Sequence, residues 1–310
     1  MQGVVVLRQT LQLETKLCDH ENELLRFDIT YVARFKRNSR CFPLNELENC
    51  LFMGNPGTGK STLINCLAGT PLFNSGLSYG EGLTKEFQKR VHDNIQYMDT
   101  PGLADRSIQE KAAAAITEAL KQTGTFKLFF MVRLENGRVV SDDLATIEIV
   151  LNSIEMEKIP FAVIVNNVKK RQYAQMREKG PDFLRVMTLI HSIEYKAHHI
   201  AFIPVIGDLD EEDNAVAKLP ADVERFVRSE SPTVQIAPQS VKPIKIEDFK
   251  KISEKLRQEQ EQALMERQVA ELTRKSHTVG SVLGKMGELA SFVVGSLLIP
   301  AGGEPKLTDC

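Results

Sequence analysis

The chain has 310 residues, 42% of them apolar and 26% charged, enough for one large domain with an appendage or for two small domains, and a core of that size needs no staples. Lys plus Arg total 39 against 41 Asp plus Glu, a net charge of -2, which excludes an overall field that recruits nucleic acid or anionic lipid. Cys18, Cys41, Cys50, Cys66 and Cys310 show no C-x-x-C spacing and no disulfide framework, so reduced thiols and a cytoplasmic setting are expected.

Residues 1–45 read as a lead-in. Their opening run, "MQGVVVLRQTLQ", is too short for a signal-peptide core, and a basic stretch "YVARFKRNSR" follows without clear period. From 46 to 230 the pattern changes. Short apolar runs, "NCLFM", "NIQYMD", "FKLFFMV", "PFAVIVN" and "HIAFIPVI", predict central strands covered on both faces. Between them lie predicted helices: one opening at Ser61, one over "SIQEKAAAAITEALKQTG" with Ser107 and Glu110 in capping-box spacing, and two over "SDDLATIEIVLNSI" and "PDFLRVMTLIHSIEYK". The alternation predicts a three-layer α/β domain with a mostly parallel sheet. "EFQKRVHDNIQYMD", two alternating runs about a polar turn, predicts one antiparallel edge pair.

Residues 231–243, rich in Pro, Ser and Gln, read as a linker. Residues 244–276 contain no Gly or Pro and carry dense mixed charge, which predicts a long helical extension. Phe249, Ile252, Leu256, Ala263 and Ala270 share one face, but Glu259 and Glu266 interrupt the seam, so packing on the chain's own domain is expected over a coiled coil. The tail, 277–310, is apolar and rich in small residues. Its run from Leu289 to Ala301 is too short to span a bilayer, which leaves a docked or disordered tail, or a peripheral membrane, oligomer or protein contact.

The chemistry concentrates in "GNPGTGKST". Gly54, Gly59, Lys60 and Ser61 fill G-x-x-x-x-G-K-[ST], a loop whose backbone N–H groups surround phosphates while the lysine meets their charge and the hydroxyl meets Mg²⁺. Asn55, Pro56, Gly57, Thr58 and Thr62 complete the candidate cradle. The helix opening behind it adds its N-terminal dipole. A second signal follows in "NIQYMDTPG": Asp99 at a strand tip can hold Mg²⁺ through water, and Gly102 can offer its N–H to a terminal phosphate. This D-x-x-G form marks switch-type GTPases.

With these motifs in place, "GNPGTGKSTLINCLAG" and "DTPGLAD" resemble the septin-related branch of translation-factor-class GTPases, and most nearly its immune-associated nucleotide-binding members. The resemblance covers roughly residues 48–210. It implies a P-loop G domain, GTP and GDP as ligands, Mg²⁺ held by Ser61, Thr84 and Asp99, and a homodimer formed across the nucleotide face. Thr84 would be the switch I threonine. "MVRLENGRVVSDD" matches the family segment in which Gly137 and Arg138 form a Gly-Arg pair and Asp142 and Asp143 start a helix. Arg138, and also Arg106, would be the groups reaching a phosphate in trans.

The departure lies at the base. "NNVKK" offers Asn166 or Asn167 for the asparagine role, with Lys169 in the same stretch, but no Asp follows. Losing that carboxylate removes roughly 1.5–3 kcal/mol, about ten- to a hundredfold in guanine selectivity, so ATP stays open beside GTP. "PVIGDLD" is a candidate fifth motif in which Asp208 replaces the missing acceptor or is an ordinary loop acid. Leu103 stands where such GTPases often place a water-orienting glutamine, which predicts slow hydrolysis by a lone subunit. The readings that follow are a slow GTP switch, a GTP-bound scaffold without turnover, or a protein of relaxed ATP/GTP specificity. No nucleic-acid partner is expected.

Overall fold

The computed structural model describes residues 47–76, 82–135, 137–266 and Val269; the lead-in 1–45 and the tail 277–310 lie outside them. Strand β1 (Glu48–Met53) runs parallel to β3 (Ile95–Asp99) on one side and β4 (Thr125–Glu135) on the other. β6 (Ala162–Val168) continues the sheet beside β4, and β7 (His199–Pro204) beside β6, both parallel. β2 (Gln88–His92) closes one edge antiparallel to β3, giving the order β2-β3-β1-β4-β6-β7. The β2–β3 turn uses Asp93 and Asn94 at φ 47° and 62°, the left-handed pair that a two-residue hairpin requires. Two short strands flank β4: β5 (Arg138–Val139) pairs its end, and β8 (Val234–Gln235) pairs its beginning, both antiparallel.

Alternate residues of the central strands feed two cores, one per face. Leu51, Met53, Leu128, Phe130 and Val132 join one with α2 (Gln109–Leu120), α3 (Ser141–Asn152) and α5 (Pro181–Ile190). Cys50, Phe52, Phe129 and Met131 join the other with α1 (Lys60–Ala68) and α6 (Ala221–Arg225). Phe52 and Phe129 stack there at 4.8 Å. Helices on both faces explain why the centres of β1, β4 and β6, residues 51–53, 128–132 and 162–165, read as apolar runs. The parallel strands end on one side, so Met53, Asp99, Arg133 and Asn166 deliver their following loops to a common rim, the place where open α/β sheets bind ligands.

Three expectations change. The Ser107–Glu110 capping box does not form: α2 starts at Gln109 with Ile108 at its cap, and the Asp105 carboxylate accepts from both the Ser107 hydroxyl at 2.7 Å and its N–H at 3.1 Å, which occupies the groups the box would use. Residues 231–243 are not a free linker. Val234 pairs with Phe126, Ile236 and Val241 enter the core, and Lys242 donates its N–H to the Ser153 carbonyl at 2.7 Å. The Pro and Ser content there breaks helix without preventing burial. The charged helix begins at 246 and is described to 266; we label it α7. Ile246, Phe249 and Leu256 are buried, Ser253 donates to Asp142, and Ala263 is exposed, so this helix packs on the domain only through its first half. Lys170–Arg177, which carries little periodicity, forms a further helix, α4. Among the described residues no helix is long and apolar enough to cross a membrane.

Candidate functional site

The loop of residues 54–61 joins β1 to α1 and forms the floor of a cleft of about 1250 Å³. Gly59 has φ 86°, and a Cβ there would collide with the Asn166 side chain, so both its conformation and its neighbour require glycine. The Lys60 ammonium curls over the loop and donates to the carbonyls of Gly54 at 2.8 Å and Asn55 at 3.3 Å. Burial pushes this ammonium below the usual lysine range, partly opposed by Asp99 and Asp143. A polyphosphate would supply the counter-charge that these carbonyl dipoles only approximate.

Beside the lysine, two hydroxyls meet one carboxylate. Ser61 Oγ donates to Asp99 Oδ2 at 2.6 Å, Thr84 Oγ1 donates to the same oxygen at 3.0 Å, and the hydroxyls lie 3.4 Å apart. The other carboxylate oxygen, Oδ1, is buried and has no hydrogen-bond partner. Burial holds the Asp99 carboxyl above the usual carboxylate range, partly opposed by Lys60. An orphaned, desolvated carboxylate oxygen against two hydroxyls suits a hard divalent cation such as Mg²⁺. Among the described residues no group of three His, Cys, Asp or Glu offers a softer or denser ligand set. The three residues named from the sequence for Mg²⁺ are thus brought together.

Behind the loop lies a network that the sequence did not disclose. The Asn55 side chain is fully buried; its amide donates to Asp143 Oδ1 at 2.8 Å, and its oxygen accepts from Ala104 N–H at 3.0 Å and Thr146 Oγ1 at 3.1 Å. One side chain therefore joins the phosphate loop, the segment after D-x-x-G and the first turns of α3. Gly102 presses on the same loop: a Cβ on it would lie 2.6 Å from the Pro56 nitrogen and 2.7 Å from the Asn55 Cα. Leu103 points into the core, fully buried, and its side chain offers nothing to a water in the cleft. Gly82 N–H donates to Asp105 Oδ2 at 2.9 Å, linking the segment that carries Thr84 to the one that carries Gly102.

Near the end of β6, the Asn166 amide donates to the Thr58 carbonyl at 2.9 Å and ties that strand to the phosphate loop. Asn167, at φ 57°, lines the cleft, whereas Lys169 is exposed at the start of α4 and does not. Asp208 also lies off the cleft wall; Asp210, Glu211 and Glu212 line it beside Ile206, Leu209 and Leu219. The loop that carries them is clasped to the chain after α1. Asn214 and Ser75 exchange two hydrogen bonds of 2.8 Å, and Ser75 Oγ accepts from the fully buried Asn65 at 3.2 Å. Arg106 sits on the cleft rim, and Arg138 is exposed on β5 outside it. A different arginine, Arg133, lines the cleft; its only sequence signal is a charge ending the apolar run of β4.

Sheet order, phosphate loop and D-x-x-G turn together define a P-loop GTPase fold. Residues 49–167 match the model of the family described as 50S ribosome-binding GTPase. No curated protein matches the chain in sequence. Among solved structures, Era in complex with MgGDPNP and a segment of 16S ribosomal RNA is 20% identical, with 51% of this chain and 51% of that one covered and a TM-score of 0.34. Toc33 from Arabidopsis thaliana with GDP and Mg²⁺ is 14% identical over 67% and 93%, TM-score 0.33. NFeoB from S. thermophilus bound to GMPPNP is 14% identical over 67% and 91%, TM-score 0.32. The chain spans about half the length of the Era chain it matches.

Proposed function

We propose that this chain is a guanine-nucleotide switch that binds GTP and GDP with Mg²⁺ and hydrolyses GTP slowly. The observation that carries the reading is the convergence of Ser61 and Thr84 on Asp99, one of whose oxygens is left without a partner, directly beside Lys60. Mg²⁺ would be held by Ser61, Thr84 and Asp99 and would neutralise charge on the phosphate oxygens. Lys60 and the N–H groups of residues 57–61 orient the phosphate chain, and Thr84 and Gly102 carry their segments toward its end. Loss of the terminal phosphate removes what those two segments hold on to, which is the switch. Leu103 is buried, so the chain supplies no water-orienting side chain at that position and turnover by a lone subunit is slow. Assembly of two copies across the nucleotide face, with Arg106 or Arg138 reaching over, is the proposed route to faster turnover.

The test is single-turnover cleavage of GTP with and without Mg²⁺ over a range of protein concentrations. Mg²⁺-dependent cleavage that accelerates with concentration supports switch and assembly together. A rate independent of concentration removes the assembly part, and absence of cleavage alongside tight GTP binding leaves the scaffold reading. Relaxed specificity is a second reading, favoured by Lys169, which follows Asn166 where a carboxylate is expected. Competition of ATP against bound GTP decides it.

A further inference from the structure

We propose that Arg133 is a phosphate ligand supplied in cis. The inference rests on the cleft being a nucleoside triphosphate site and adds a resident cation to it, distinct from the trans arginines considered above. Arg133 stands near the end of β4, and its guanidinium extends along the phosphate loop. Nη1 lies 3.5 Å from the point where a Cβ on Gly57 would sit. Gly57 is in the middle of the cradle and lines the same cleft wall as Arg133. The guanidinium therefore reaches the middle of the loop, within ordinary van der Waals contact of a methyl placed there.

The surroundings of Arg133 distinguish a ligand from a structural ion pair. Its backbone N–H donates to Asp143 Oδ2 at 2.8 Å, which fixes where the residue leaves the strand. Its guanidinium Nε lies 3.6 Å from the same oxygen, beyond a hydrogen bond, and this nitrogen is buried without a hydrogen-bond partner. Nη1 lies 3.9 Å from Glu135, which is exposed. A purely structural arginine facing a buried carboxylate would close to the two-pronged contact that its planar fork favours. Here the fork is held near Asp143 by charge without closing on it, and the residue lines the cleft. Asp143 cannot move to meet it, because Asn55 and the Arg133 backbone already fix both of its oxygens. A phosphate oxygen over Gly57 would satisfy the guanidinium, and the buried Asp143 behind it keeps the arginine in place when the phosphate leaves. Because donor and loop belong to one chain, this contribution is independent of assembly.

The test compares wild type, Arg133→Gln and Arg133→Lys, with Arg138→Gln as the comparator, using both MgGTP and MgATP because the phosphate chain is common to them. Triphosphate and diphosphate affinities are measured by titration, and single-turnover cleavage is followed at several protein concentrations. Arg133→Gln is expected to lose on the order of ten- to a hundredfold in triphosphate affinity or cleavage rate, by the same factor at every concentration, with Arg133→Lys recovering part of the loss. A change within about twofold in both quantities overturns the proposal, as does a loss that appears only at concentrations where copies associate. If Arg133→Gln does not fold, Arg133→Lys, which keeps charge beside Asp143 without the fork, carries the same comparison. Failure of the guanine reading shows separately, as a preference of wild type for ATP. Wild type that binds neither triphosphate overturns both proposals.

Discussion

Asn55 donates its side-chain amide to Asp143 at 2.8 Å, joining the second residue of the phosphate loop to the first turn of α3 across 88 positions of sequence. Burial holds the Asp143 carboxyl above its usual range, opposed by Arg133 and by this amide. Replacing Asn55 by Ala strands the carboxylate and removes the acceptor used by Ala104 and Thr146. The expected cost is about 3 kcal/mol of folding stability, read from urea denaturation at constant slope. A loss below about 1 kcal/mol would show that water replaces the network.

Asp99→Asn separates the metal from the fold. In the metal-free protein Asp99 keeps its proton to a higher pH than the unfolded chain does, so its contribution to stability is present at low pH and is lost as pH rises through its raised folded value. Mg²⁺ with nucleotide needs the carboxylate and reverses that trend. The stabilisation that Mg²⁺ and nucleotide confer should therefore grow across a series from about pH 5 to pH 8. In Asp99→Asn the growth should vanish while the metal-free melting temperature holds or rises. Thermal melts with and without Mg²⁺ check both arms.

Gly102→Ala tests the contact between the D-x-x-G turn and the loop. The added methyl meets the backbone at Pro56 and Asn55, which cannot yield as a side-chain tip can. The segment should be displaced from where it would meet the terminal phosphate under the proposed function, with triphosphate affinity falling at least about tenfold and diphosphate affinity changing little. Equal losses for the two nucleotides would mean that the whole loop had shifted.

Lys169→Asp places a carboxylate three residues after Asn166, whose bond to Thr58 already fixes the end of β6. Guanine presents two N–H donors to such an acceptor, so the preference for GTP over ATP should rise by about ten- to a hundredfold in a competition assay. No change would mean that base choice is made elsewhere, with Asp210 and its neighbours on the facing loop as the next residues to substitute.

The turn at Gly59 and the meeting of Ser61 and Thr84 at Asp99 were legible because their residue types answer to local geometry: glycine to a left-handed turn, and an acid to a strand tip. The sheet was legible because its central strands are buried on both faces. What stayed hidden depends on partners distant in sequence. Asp143 reads as an acid at a helix start until Asn55 and Arg133 are seen against it. Arg133 reads as the polar end of a strand until Gly57 is seen beneath it. Residues 231–243 read as a linker because their Pro and Ser speak only to local conformation, while the burial of Ile236 and Val241 is decided by β4 and α3. Ser107 reads as a helix cap from its spacing to Glu110, but its hydroxyl goes to Asp105, outside the helix that follows.

The seat of α7 on the domain has a mechanical side. Ser253 of that helix is bonded to Asp142, whose chain neighbour Asp143 holds both Asn55 and the backbone of Arg133. Beyond Leu256 most residues of the described helix are exposed, so this outer part is an arm anchored where Ser253 meets the first turn of α3. A load on that arm, from a partner or a surface, acts about one residue from the anchor of the phosphate loop. A tug on the outer helix and a ligand in the cleft therefore pull on the same knot from opposite ends.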